Sequence, residues 1–197
     1  MQEKQPDLGK VVVNRSMSID GFIAGPGHSM RWGTGKGKRS PDFIPWDDTV
    51  EAASRTGAML IGRNTAEVGD RLAAEAAESG DESIAPNYPF HGPFFLLTHR
   101  PLDPPDPDVT ILSGDIRAAV ATALAAANGK DLELLGASVA SQAFAAGLVD
   151  EVLVYVLPVV MGQGVPFSAA DSVTVDLEPI SSKQSGPVTI MRFRVVK

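Results

Sequence analysis

Apolar and polar positions along this chain fall into short blocks instead of one long period. Val11-Val12-Val13 opens the first block, which continues through Asn14, Arg15, Ser16, Met17 and Ser18 to Asp20-Gly21. It reads as a buried strand ended by a turn, because glycine takes a positive φ at little cost. Phe22-Ile23-Ala24, Ala58-Met59-Leu60-Ile61, Phe94-Phe95-Leu96-Leu97, Val109-Thr110-Ile111-Leu112, Leu132-Glu133-Leu134-Leu135 and the run from Val152 to Val160 read as further strands. Two more are expected over 172–177 and 187–195, the second alternating Val188, Ile190, Phe193 and Val195 with polar residues. Helices are expected from Pro45-Trp46-Asp47-Asp48 to Arg55, from Ala66 to Ser79, from Ile116 to Ala127 and from Val139 to Ala146. Asn128-Gly129 supplies the left-handed cap of the third. Strands alternating with helices, then an antiparallel end, predict an α/β sheet with helices on both faces.

The segment Asp131 to Val160 is the most informative, because it reads as strand, tight turn, helix and strand around Gly136-Ala137-Ser138. A small-residue turn between a strand and a helix leaves backbone N–H groups directed outward, which suits a phosphate. Gly62-Arg63-Asn64-Thr65 and Thr98-His99-Arg100 close two other strands. Each turn alone is also an ordinary connector. Together they offer two basic residues and a set of N–H donors where an open α/β sheet binds its ligand. The glycine signature of a Rossmann fold is absent, and the Gly-Lys pairs near Gly35-Lys36 lack P-loop spacing. The segment from Gly25 to Ser40, with Arg31, Lys36, Lys38 and Arg39, shows no apolar period and reads as a mobile loop over a site.

Composition narrows the partners. A formal charge of -7 with a pI near 4.9 argues against a general nucleic-acid binder, so any phosphate site is local. The 197 residues contain 44% hydrophobic and 21% charged positions, an ordinary globular balance. With 0 cysteines, a thiolate metal site, a disulfide framework and a thiol nucleophile are excluded. His28, His91 and His99 are too scattered to predict a metal site. The polar lead over 1–9 has no apolar core and the longest apolar run is too short for a membrane span. A single domain over 10–197 in the cytoplasm, with no membrane association, is the expectation.

Ser18-Ile19-Asp20-Gly21-Phe22-Ile23-Ala24, Leu60-Ile61-Gly62-Arg63-Asn64-Thr65, Leu97-Thr98-His99-Arg100-Pro101, Leu135-Gly136-Ala137-Ser138, and Gly147 through Pro158 to Gly164 carry a resemblance. Their order and spacing are similar to the dihydrofolate reductase superfamily, in the branch of the reductase domain of the bifunctional riboflavin-biosynthesis deaminase/reductase. The resemblance implies a three-layer αβα fold whose sheet is mostly parallel with antiparallel C-terminal strands, an NADPH cofactor and a homodimer. It implies a small heterocyclic substrate, with 5-amino-6-(5-phosphoribosylamino)uracil as the first candidate. Reduction of a pterin is a second reading, and a dimeric nucleotide-binding protein without turnover a third.

By the same resemblance, Gly62, Arg63, Asn64, Thr65, Thr98, His99 and Arg100 would embrace the adenosine phosphate, and Gly136, Ala137, Ser138 and Val139 the pyrophosphate. The segment from Asp20 to Ala24 would lie by the nicotinamide, and Asn14, Trp32 and Trp46 would meet substrate. The family often has a second glycine where this chain has Ala137. Asp20 and Asp47 are the candidate catalytic acids; Asp20 also reads as a plain turn residue and Asp47 as a helix N-cap.

Overall fold

In the computed structural model, residues 9–32, 43–100, 106–168 and 173–197 are described. Their elements in chain order are β1 (Val11–Ser18), β2 (Phe22–Ala24), α1 (Trp46–Arg55), β3 (Thr56–Gly62), α2 (Arg63–Ser79), β4 (Phe94–Leu97) and β5 (Val109–Leu112). There follow α3 (Ile116–Ala126), β6 (Asp131–Leu135), α4 (Ala137–Ala145), β7 (Glu151–Leu157), β8 (Val165–Pro166), β9 (Leu177–Ser185) and β10 (Val188–Val195).

The apolar run at Val11 becomes the middle of an 8-stranded sheet ordered β5-β4-β3-β6-β1-β7-β10-β9. Val11 to Val13 pair in parallel with Leu132 to Leu134, and Val12 to Ser18 with Glu151 to Leu157. A strand flanked on both sides and covered on both faces has no solvent side, which is why Val11, Val12 and Val13 are apolar without alternation. In this sheet the β7–β10 and β10–β9 pairings are antiparallel and the other pairings parallel.

Two layers of helix complete the αβα arrangement. On one face Val11, Val13, Leu60, Leu132, Leu134 and Val154 pack against Ile116, Val120, Val139 and Phe144 of α3 and α4. Ala119, Ala123, Ala140 and Ala143 are 4% exposed or less and bring those helices close to the sheet. On the opposite face Val12, Leu153, Tyr155, Leu157 and Ile190 meet Ala52 of α1 and the side chain of Trp32. Among the described residues no helix is long and apolar enough to cross a membrane.

Some expectations need correction. The strand expected over 172–177 lies instead at Leu177–Ser185, and residues 173–176 carry no regular structure. β9 is a sheet edge exposed over nearly its whole length, so burial imposed no apolar pattern on it. Its register slips between Arg192 and Phe193, opposite Ser181 and Pro179, leaving Ile180 as the extra residue of a bulge beside a proline that cannot donate to a ladder. Helix α2 begins three residues before the expected Ala66, directly after Gly62.

The loop expected to be mobile is pinned along its described part. Arg71 Nη2 donates to the His28 carbonyl at 2.9 Å, and Arg31 forms an ion pair with Glu75. Lys36, Lys38 and Arg39 lie outside the described residues.

Candidate active site

Past the carboxyl ends of β1, β3, β4 and β6 opens a cleft of about 1720 Å³. The strand-to-helix turns at Gly62 and Gly136 build one wall. Helices α2 and α4 start directly after them, and neither N-cap residue supplies a side-chain cap. The first-turn N–H groups of Arg63, Asn64 and Thr65, and of Ala137, Ser138 and Val139, are donors that an α-helix leaves outside its own ladder. Two positive helix ends therefore face one cleft, which favours an anion.

Gly136 holds the two starts together. Its φ is +92°, and a Cβ there would sit 2.5 Å from Thr65 Oγ1. Ala137 is the first residue of α4 and is not among the residues with positive φ. Its methyl group is therefore compatible with the backbone that the second position adopts here.

The turn after β4 forms the next wall. Thr98 Oγ1 accepts the Arg100 N–H at 3.2 Å, and Arg63 Nη1 donates to the Arg100 carbonyl at 2.9 Å. Arg63 Nε also donates to Glu67 at 2.8 Å, so both basic strand ends are tied into one unit. Beneath them lies Arg15, 6% exposed, whose Nη2 donates to the Gly136 carbonyl and Nη1 to the Phe167 carbonyl, both at 2.6 Å. Burial lowers its pKa to about 10, which leaves it cationic at neutral pH. Its charge lies 5.2 Å from the Phe167 ring centroid, where the π-face attracts a cation.

The floor is acidic. Glu133 is 4% exposed and lines the cleft together with Asn14, Tyr88 and Tyr155. Thr56 Oγ1 and the Tyr88 hydroxyl both lie within hydrogen-bond reach of Glu133 Oε2, at 2.9 Å and 3.0 Å.

Ala24, Gly62, Arg63, Asn64, Thr65, Thr98, His99, Arg100, Gly136, Ala137, Ser138 and Val139 all line this cleft, as do Asn14 and Trp46. Three expected site residues do not. Trp32 is 1% exposed and packs in the core cluster with Val12, Leu157 and Ala52. The Asp20 carboxylate accepts the N–H groups of Met161 at 3.0 Å and Gly162 at 2.7 Å. It clamps the exit of β7 to the β1 turn. A hydrogen bond from Ser18 and those two N–H groups lower its pKa to about 2, which keeps it an acceptor instead of an acid. Asp47 is exposed on the first turn of α1, and the N-cap position belongs to Pro45. Its neighbour Asp48 is the buried acid of that turn, bonded to Ser185 and to Lys183.

Glu133, Tyr88, Tyr155 and Arg15 escaped the reading of the sequence. For Glu133 a signal existed, since an acid in the interior of a buried strand is costly unless it is partnered or used.

Comparison with known proteins agrees with this geometry. The family model described as the RibD C-terminal domain matches residues 9–191. No curated protein matches the chain significantly. A solved structure of a candidate riboflavin biosynthesis protein from Shewanella sp. PV-4 is 19% identical, with 95% of this chain and 99% of that chain covered and a TM-score of 0.68. The diaminohydroxyphosphoribosylaminopyrimidine deaminase/5-amino-6-(5-phosphoribosylamino)uracil reductase of Thermotoga maritima is 14% identical, with 95% of this chain and 57% of that chain covered and a TM-score of 0.61. Dihydrofolate reductase from Enterococcus faecalis, complexed with NADP(H), is 15% identical, with 96% and 98% covered and a TM-score of 0.54. These likenesses establish a dihydrofolate reductase-like fold.

Proposed function

Given that the chain belongs to the RibD C-terminal domain family, we propose that it is an NADPH-dependent reductase of a small heterocyclic compound, with 5-amino-6-(5-phosphoribosylamino)uracil the first substrate to test. The observation that carries this reading is the pair of uncapped helix starts, at Gly62 and Gly136, facing one cleft beside Arg63 and Arg100. A dinucleotide fits that donor set. The first-turn N–H groups of α4 would take the pyrophosphate, and Arg63 and Arg100 the adenosine phosphate. Bound there, the reduced nicotinamide supplies a hydride. The protein's share is to hold the reactants in line, exclude water and deliver a proton.

The cofactor assignment is tested by titration. Trp46 is half exposed at the cleft, so NADPH is expected to quench its fluorescence, and more tightly than NADH does. Arg63→Ala is expected to weaken NADPH about tenfold while leaving NADH little changed, since a charge-assisted bond contributes roughly 1.5–3 kcal/mol. Equal affinities for both cofactors in wild type would overturn the assignment. Binding without oxidation across pyrimidine and pterin compounds would favour a nucleotide-binding protein without turnover.

A homodimer belongs to the same proposal. Val156, Met191 and Phe193 stay half-buried on the β7–β10 end of the sheet, while Val160, Leu177 and Ile180 are exposed near it. A two-fold partner would cover such a surface. Sedimentation equilibrium is expected to give a dimer at micromolar concentration, and a monomer throughout would reject it.

A further inference from the structure

The hydroxyl contacts around Glu133 accommodate a protonated carboxyl. Thr56 Oγ1 lies 2.9 Å from Glu133 Oε2 and 3.2 Å from the Ala52 carbonyl, but a hydroxyl has one proton for two acceptors. If Oε2 carries a proton and donates it to Thr56, the threonine can donate to Ala52 while the Tyr88 hydroxyl donates to Oε2. Every contact is then satisfied. Burial raises the carboxyl's pKa, against hydrogen bonds from Thr56, Tyr88 and Asn14, and the Asp131 charge raises it further. Burial likewise pushes the Tyr88 phenol up, so it stays protonated.

Glu133 also borders a second space. A cavity of about 20 Å³ on its other side is lined by Asn14, Thr56, Arg55, Asp131 and Arg192, enough room and polar partners for one water. The ionisable groups facing the carboxyl are thus Tyr88, Tyr155, Asp131, Arg55 and Arg192. On the cleft side Tyr88 is less buried than Glu133, and both line the open volume.

From this arrangement, and resting on the reductase reading above, we infer that Tyr88 and Glu133 are the proton-delivery pair of the cleft. In reduction of a C=N or C=O bond the carbon gains a hydride from a reduced nicotinamide and the heteroatom gains a proton. The Tyr88 hydroxyl turns from Oε2 to that heteroatom and its O–H bond breaks as the proton transfers, while the Glu133 Oε2 proton turns from Thr56 to the Tyr88 oxygen and joins it. Glu133 is left as a carboxylate, and a proton from bulk solvent, relayed by a water in the small cavity, restores its neutral form.

The test uses the full chain, NADPH and 5-amino-6-(5-phosphoribosylamino)uracil, with Glu133→Gln, Tyr88→Phe and the double variant. Each single change is expected to lower kcat about 100-fold or more, as for a lost general acid. The double variant should lose little beyond that, because the two act as a unit. NADPH titration should be unchanged in all three. The wild-type rate should fall as pH rises through the raised Glu133 value, and Glu133→Gln should lack that fall. Independently of activity, the infrared difference between wild type and Glu133→Gln at neutral pH should show the carbonyl stretch of a protonated carboxyl. A carboxylate band there overturns the proposal even if the variant misfolds, and so does a variant with the wild-type rate and pH profile. A wild type that binds NADPH but never oxidises it with this or related C=N and C=O compounds overturns the reductase reading instead, and the proton role with it.

Discussion

Glu151→Ala is expected to lower the unfolding free energy by about 3–5 kcal/mol, the usual cost of leaving a buried charge without its partner. Glu151 is 2% exposed at the start of β7 and holds Lys10 and Arg192. The Lys10 side chain is 55% exposed, so its share is small after solvent screening. The loss comes chiefly from Arg192, which is 16% exposed and keeps only Asp131, at 3.6 Å, once the glutamate is gone. The pair also sets a pH dependence. Burial raises the Glu151 pKa, but bonds and charges from Lys10 and Arg192 outweigh it and leave the folded value below the ordinary 4.5. A depressed carboxyl contributes stability that is complete above its unfolded pKa and is lost as pH falls through its folded one. Urea unfolding should therefore separate wild type from variant widely at neutral pH and converge in acid. Equal midpoints at neutral pH would show that the pair contributes nothing net.

Gly164→Ala is expected to cost about 3 kcal/mol or more, from close packing against backbone together with an unfavourable φ. A Cβ at Gly164 would stand 2.1 Å from the Ala24 carbonyl oxygen, where β2 and β8 pair at the rim of the cleft. Neither strand can yield without displacing Ala24, so NADPH affinity should fall along with the denaturation midpoint. Gly162→Ala is the control. Its φ is also positive, at +74°, but a Cβ there meets nothing within 4 Å. If the two variants unfold alike, backbone conformation alone explains both and the contact is irrelevant.

The parallel heart of the fold was legible because burial on two faces writes itself as apolar runs, as at Val11–Val13 and Ala58–Ile61. The turns after those runs carry glycine or paired polar residues for reasons of backbone geometry, so the cleft wall from Gly62 to Val139 was legible too. What stayed hidden was whatever depends on which face a side chain takes in three dimensions. Trp32, an obvious ligand-stacking residue in a polar loop, fills the core, and Asp20 caps backbone N–H groups. Glu133 has the composition of an interruption, and its meaning depends on Thr56, Tyr88 and Asn14, which no local pattern brings together. β9 carries almost no buried residue, so burial left no mark on it to read.

The position of β1 bears on how the chain reaches this state. It precedes every other strand among the described residues, yet both of its neighbours, β6 and β7, lie in the second half of the sequence. Closing loops of that length costs entropy before any pairing offsets it, so contact order is high and folding should be slow. While β3, β4 and β5 can pair as they are made, the Val11–Val13 edge remains open until Leu132 and Val152 have been added. During synthesis that apolar edge is the segment most in need of a chaperone. A chain truncated before β7 should retain this need indefinitely, appearing in the insoluble fraction unless a holdase is supplied.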